Sequence, residues 1–104
     1  MTKIIPTQLK NVLSTSFYGV IIKAKVSDMV KALGEPHFTK PNEKVSVEWM
    51  FETEYGMPFT IYDWKEDEPA NVNREQVYEF HIGGRTKKGT EKAKAIIKEY
   101  LHNN

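Results

Sequence analysis

The sequence predicts an α+β fold: an antiparallel sheet of about four strands, in the order β-α-β-β-β-α, with helices packed on one face. Three observations carry this expectation. Residues 44–54 alternate, with Val45, Val47, Trp49 and Phe51 on one side and Ser46, Glu48, Met50 and Glu52 on the other, the period of a half-buried strand. After Tyr55-Gly56 the alternation returns from Met57 to Lys65, with Phe59 and Ile61 opposed to Thr60, Tyr62 and Trp64, as the second arm of a hairpin does. Ala93, Ile96, Ile97, Tyr100 and Leu101 then recur at i, i+3, i+4, i+7 and i+8, the apolar stripe of an amphipathic helix.

The other elements follow in order. Residues 4–13 place Ile5, Leu9, Val12 and Leu13 at near-helical spacing, with Pro6 acceptable in a first turn. The β-branched and aromatic run from Phe17 to Lys25 reads as a strand. Ser27 is the expected cap of a short helix with Asp28 in its first turn and Val30 and Leu33 on its apolar side; Gly34 and Pro36 stop it. Residues 66–75 are acidic or rich in Pro and Asn and read as an exposed loop, and Gln76 to Ile82 is the next strand.

At 104 residues the chain predicts one domain with a modest core. Fifteen basic residues against fourteen acidic ones leave a net charge of +1, too little for a long nucleic acid to be the expected partner. The charge is nevertheless uneven. Arg85, Lys87, Lys88, Lys92, Lys94 and Lys98 face only Glu91 in their stretch, whereas 63–68 reads Asp-Trp-Lys-Glu-Asp-Glu. The absence of cysteine excludes disulfides and thiolate chemistry. No apolar run approaches a membrane span and no signal-peptide pattern stands at the start, so neither a membrane nor export is expected and the cytoplasm is.

The segment richest in chemistry is Phe80-His81-Ile82-Gly83-Gly84-Arg85-Thr86-Lys87-Lys88-Gly89-Thr90. A strand ends in two glycines, passes three cations and meets an expected helix N-cap at Thr90. Flexible backbone N–H groups, positive side chains and a helix N-terminus in one place suit an anion such as phosphate. The competing reading is a solvated basic turn whose glycines merely allow positive φ. Gly84 and Gly89 share the spacing of P-loop glycines, but Thr90 and Glu91 follow where that motif needs its lysine. No nucleoside-triphosphatase and no cofactor are expected.

His81 is the one histidine within an expected regular element, and no set of three His, Asp, Glu or Cys has metal-ligand spacing. It has Asp63 or Glu79 as conceivable partners in general-base chemistry, yet no serine or threonine sits in a nucleophile elbow. A histidine hydrogen-bonded on a sheet face is the plainer reading. Tyr62 and Trp64 lie opposite Phe59 and Ile61, so both faces of their strand are apolar or aromatic. One face packs under helices. The other calls for a second subunit, the returning N-terminal segment or a ligand's base, whose stacking on an aromatic ring is worth roughly 1–3 kcal/mol.

Five fragments taken together resemble a family of small bacteriophage-encoded proteins: Ser16-Phe17-Tyr18-Gly19-Val20, Leu33-Gly34-Glu35-Pro36, Glu48-Trp49, Thr60-Ile61-Tyr62-Asp63-Trp64-Lys65 and His81-Ile82-Gly83-Gly84. The resemblance covers the chain from about residue 14 to the last helix. Phe80 departs conservatively from the tryptophan more usual before the histidine. One branch of that family resembles viral anti-defence sponges, which sequester the cyclic dinucleotide signals of bacterial CBASS immunity without cleaving them. The resemblance implies a homo-oligomer with ligands held between subunits.

The resulting expectation is a non-enzymatic protein that binds a cyclic dinucleotide such as 3′3′-cGAMP. Arg85, Lys87 and Lys88, with the N–H groups near Gly83 and Gly84, take the phosphates. Tyr62 or Trp64 stacks a base, His81 or Tyr18 meets a base edge or ribose, and Lys65 and Thr90 complete the candidate set. The alternative is a phage protein that inhibits a host enzyme by direct contact through the same aromatic face. A small hydrolase built on His81 and Asp63 is a third.

Overall fold

The predicted hairpin forms the middle of the sheet. In the computed structural model, which describes residues 1–37, 47–63 and 73–103, β3 (Glu48–Thr53) pairs antiparallel with β4 (Pro58–Tyr62), setting Trp49 opposite Ile61 and Phe51 opposite Phe59. Gly56 turns the chain at φ 83°, a left-handed conformation that glycine adopts without a Cβ clash. The Thr53 hydroxyl accepts from the N–H groups of Tyr55 and Met57 at 3.3 and 3.2 Å. The outer ends of the two expected strands, 44–46 and 64–65, lie outside the described residues, as does most of the acidic loop.

Among the described residues five strands, against the expected four or so, make the sheet, in the order β1-β3-β4-β5-β2, and every pairing is antiparallel. The additional strand is β1 (Ile4–Pro6), in a stretch whose spacing looked helical; only α1 (Leu9–Val12) is helical there. Pairing of Ile4 with Thr53 and Ile5 with Glu52 overrides the local pattern. Pro6 is tolerated because β1 is an edge strand, where a missing N–H costs little. β2 (Ser16–Lys25) forms the other edge, and β5 (Val77–Gly84) runs two residues further than expected, through both glycines.

α2 (Val26–Leu33) and α3 (Lys87–His102) pack on one face. Trp49, Phe59, Ile61, Phe80, Ile82, Met29, Ala93 and Ile97 are fully enclosed there, each large side chain contributing roughly 1.5–3 kcal/mol by leaving water. The Trp49 indole N–H donates to the Gly34 carbonyl at 2.9 Å and meets the Phe80 ring edge-to-face at 5.8 Å. That hydrogen bond fastens the end of α2 to the sheet. Gly34 stops the helix as expected, at φ 89°.

Ser27 is not the α2 cap. The N-cap position is Lys25, whose side chain caps nothing, because β2 runs directly into the helix. The N–H of Ser27 donates instead to the Arg74 carbonyl at 2.9 Å, so a neighbouring turn satisfies one of the orphan groups of the first turn.

The opposite sheet face carries Glu48, Met50, Thr60, Tyr62, His81 and Gly83. Part of it is covered by the N-terminal segment itself: α1 packs over β4, Val12 is buried, and the Thr15 hydroxyl stands near Gly83. Among the described residues no helix is long and apolar enough to cross a membrane.

Candidate functional site: an aromatic sheet face beside a basic turn

Strand register places Ile21, His81, Tyr62 and Glu48 in one row across β2, β5, β4 and β3. Phe17 joins this row from one step along the sheet. Its register partner is Gly83, and with no side chain there the Phe17 ring lies over His81, centroids 4.0 Å apart and planes 9° from parallel. Tyr62 meets the same imidazole edge-on at 5.6 Å. A bulge shapes this corner: five residues of β2, Phe17 to Ile21, span three of β5, His81 to Gly83, with Gly19 at φ 82°. Bulges bend a strand and re-aim its side chains. Phe17 remains 44% exposed, so the pile of rings ends at the protein surface.

At the far end of the row Glu48 is half-buried, and burial pushes its carboxyl above the usual carboxylate value. The Tyr62 phenol is also raised, by burial first and then by the Glu48 charge beside it. Asp63 is buried, and its carboxylate accepts the Val47 N–H at 2.8 Å. That bond holds the start of β3. Among the described residues no three His, Asp or Glu side chains gather as a metal-ligand set.

The basic turn differs from its expected construction. Gly83 and Gly84 are strand residues within the sheet, Gly83 in register with both Phe17 and Thr60 and Gly84 with Ser16. Neither has positive φ. They are glycines because their surroundings leave no room: a Cβ on Gly83 would stand 2.7 Å from the Thr60 hydroxyl, and one on Gly84 would run into the Thr90 side chain, 3.3 Å from its Cα. The flexible N–H cradle expected at these two residues is therefore not formed. The α3 N-cap is Thr86, whose hydroxyl accepts from the Gly89 N–H at 2.9 Å. Thr90, the expected cap, sits one turn inside, wholly buried, donating to the Thr86 carbonyl at 2.6 Å. It helps to seat the helix on Gly84 and offers nothing at the surface.

The cations are at the surface. Arg85, Lys87 and Lys88 are exposed, and Arg85 is positioned by its neighbours: its Nε donates to the Ser14 hydroxyl at 3.1 Å, while the Tyr18 hydroxyl donates to the Arg85 carbonyl at 2.8 Å. The Tyr18 bond ties the strand carrying Phe17 to the basic turn. Tyr62 and His81 thus share one ring contact and Tyr18 and Arg85 one hydrogen bond, the two joined through Phe17, while Lys87 and Lys88 open α3 just after Arg85. Trp64 and Lys65 lie outside the described residues.

No protein-family model matches this chain, and no curated protein matches it. The reading of the site therefore stands on its geometry and on the fragments quoted above. Two of its residues are not evident in the sequence. Phe17 lies in a predicted strand, but only the bulge and its register against Gly83 bring it over His81. Ser14 lies between the segment 4–13 and the strand expected from Phe17, and is visible as an Arg85 contact only once the strands are paired.

Proposed function

We propose that the protein binds and sequesters a small phosphorylated signal, a cyclic dinucleotide such as 3′3′-cGAMP, releases it unchanged, and serves a bacteriophage as an anti-defence sponge. The observation that carries this reading is the open ring of Phe17, stacked on His81 and joined through Tyr18 to the Arg85 turn. A purine base stacks on such a ring favourably, and a phosphate a few ångströms further along the ligand meets guanidinium and ammonium groups as charge-assisted acceptors. Tyr62 closes the edge of the platform, and Trp64, two residues on, is assigned with it to the base. The phosphate contacts belong to side chains, Arg85, Lys87 and Lys88, since the ladder already engages Gly83 and Gly84. The reading is non-enzymatic and places the protein in the host cytoplasm.

An open corner holds only one side of a nucleotide. Two such corners facing each other in a homo-oligomer enclose it, which is how a small chain obtains a closed site. Ile5, Leu9 and Leu13, at 50, 53 and 72% exposure, flank the same face and supply apolar surface for that association. The same three residues favour the second reading, inhibition of a host enzyme by direct contact.

A thermal-shift screen against cyclic di- and oligonucleotides, without added metal, separates the two. A ligand that binds only the folded state at one hundred times its Kd stabilises it by about 2.7 kcal/mol. A large shift for one cyclic dinucleotide supports sequestration. Silence across the panel, together with one host enzyme inhibited by the purified protein, supports the second reading and removes the first.

A further inference from the structure

We infer that the outer edge of β2 is a docking site for an extended acidic peptide, which adds to the sheet as a sixth strand. Among the described residues β2 is the last strand of the sheet, with β5 as its one partner. Its first half is disrupted by the bulge, but Ile21 to Lys25 run in unbroken register against His81 to Val77. Alternate residues of a regular edge strand direct N–H and C=O groups outward, a template for another chain.

Beside this edge runs a trough. One part, a groove of about 430 Å³, lies between the end of β2, α2 and α3. The other, of about 610 Å³, lies between β2 and the last turns of α3. Lys23 and Leu101 line both, so the two parts adjoin. Lysines enter it from three elements: Lys23 and Lys25 from β2, Lys31 from α2 and Lys98 from α3. Against them stand Asp28 and Glu99. Leu101 and Val77, the latter 55% exposed, give the trough an apolar floor.

These features specify the occupant. An edge ladder beside a helix recognises a peptide backbone, and pockets on alternate sides recognise every second side chain. Acidic residues at one set of positions meet the lysines, and an apolar residue at the other covers Leu101. A single-stranded nucleic acid lacks the backbone N–H and C=O groups that the edge pairs. A second copy added antiparallel about Ala24 would set Lys23 of each copy opposite Lys25 of the other, and like charges across a strand pair are unfavourable. The site is separate from the aromatic corner, so its test does not depend on the nucleotide reading.

The experiment is selection of displayed random dodecapeptides on the full chain, followed by hydrogen exchange with the best binder. Enriched peptides carrying several Asp or Glu residues alternating with apolar ones are expected. Bound peptide slows exchange of the outward-facing amides among Ile21–Lys25 by about tenfold or more, as pairing replaces solvent. Lys23→Glu with Lys98→Glu weakens binding by about tenfold or more, the loss expected from two charge-assisted contacts. Methylating every second backbone nitrogen of the peptide, which leaves the protein untouched, removes binding if the ladder is the anchor. Selection without acidic enrichment, protection elsewhere than β2, equal binding by the methylated peptide, or the same protection by an oligothymidylate would each overturn the proposal.

Discussion

Phe17 stacks face-to-face on His81 although the strand register sets it opposite Gly83. The displacement requires a side chain missing at Gly83 and a bulge that turns Phe17 toward its diagonal neighbour. The two features most evident in the sequence of this region, the paired glycines and the histidine before them, are thus parts of one packing arrangement.

Replacing Phe17 with alanine tests that arrangement. The ring pair contributes about 0.5–1.5 kcal/mol to folding, so urea unfolding should reveal a loss of that order. If Phe17 carries the base, affinity for the cyclic dinucleotide falls further, by about tenfold or more, in line with roughly 1–3 kcal/mol per stacked base. Calorimetric titration of the folded variant measures the second effect separately from the first.

Gly84→Ala should destabilise the fold by about 1–3 kcal/mol, because overpacking against a buried helix turn forces the backbone apart. The neighbour it meets is Thr90, wholly buried in α3. A fall in the urea midpoint at unchanged slope is the expected result. Wild-type stability in the variant would mean that α3 does not rest on Gly84 at all.

The charges of the turn are separable from its structure. Changing Arg85 and Lys87 together to glutamine should leave stability within about 0.5 kcal/mol, since exposed surface sites rarely contribute more. Affinity for the cyclic dinucleotide should fall by about tenfold or more at low salt, and the gap should narrow as salt screens the wild-type contact. Equal binding by both proteins would leave Arg85 with only its Ser14 hydrogen bond.

Stability should also report two displaced protonation equilibria. Burial raises Glu48 above its usual 4.5; the folded state then binds the extra proton, so this stabilisation is present below pH 4.5 and is lost as pH rises through the folded value. Burial lowers His37 below 6.5; its Nδ1 accepts the Met50 N–H at 2.9 Å, which requires the lone pair of an unprotonated nitrogen. That stabilisation is present above pH 6.5 and is lost as pH falls through the folded value. Unfolding curves collected across pH for the wild type, Glu48→Gln and His37→Gln should each lose one limb of this dependence.

Much of the architecture is legible in the sequence because it follows from periodicity. The alternation around Trp49 and Phe59 and the stripe from Ala93 to Leu101 appear where expected. The remainder depends on long-range pairing that no local window contains. Ile4–Pro6 is a strand because β3 offers it an edge, and Ser27 needs no cap because Arg74 is within reach. Gly83 and Gly84 have the composition of a phosphate loop, yet their lack of side chains serves contacts with Thr60 and Thr90. The corner is partly legible: Tyr62 meets His81 and Tyr18 meets Arg85, while Phe17 is brought over His81 by the bulge alone.

Association of the chain is expected from the exposed Ile5, Leu9 and Leu13 of the N-terminal segment. Sedimentation equilibrium at micromolar concentration should give a mass above the 12.1 kDa of one chain, and Leu9→Asp with Leu13→Asp should return it to that value. A wild-type protein that sediments only as one chain contradicts the enclosed site.

The most direct measurement is calorimetric titration of the wild-type protein with 3′3′-cGAMP in the absence of metal, followed by mass spectrometry of the ligand released on heating. Sequestration predicts saturable binding and recovery of the dinucleotide with both phosphodiester bonds intact. Absence of binding to this and related cyclic dinucleotides, or recovery of cleaved product in excess of the number of sites, would contradict it.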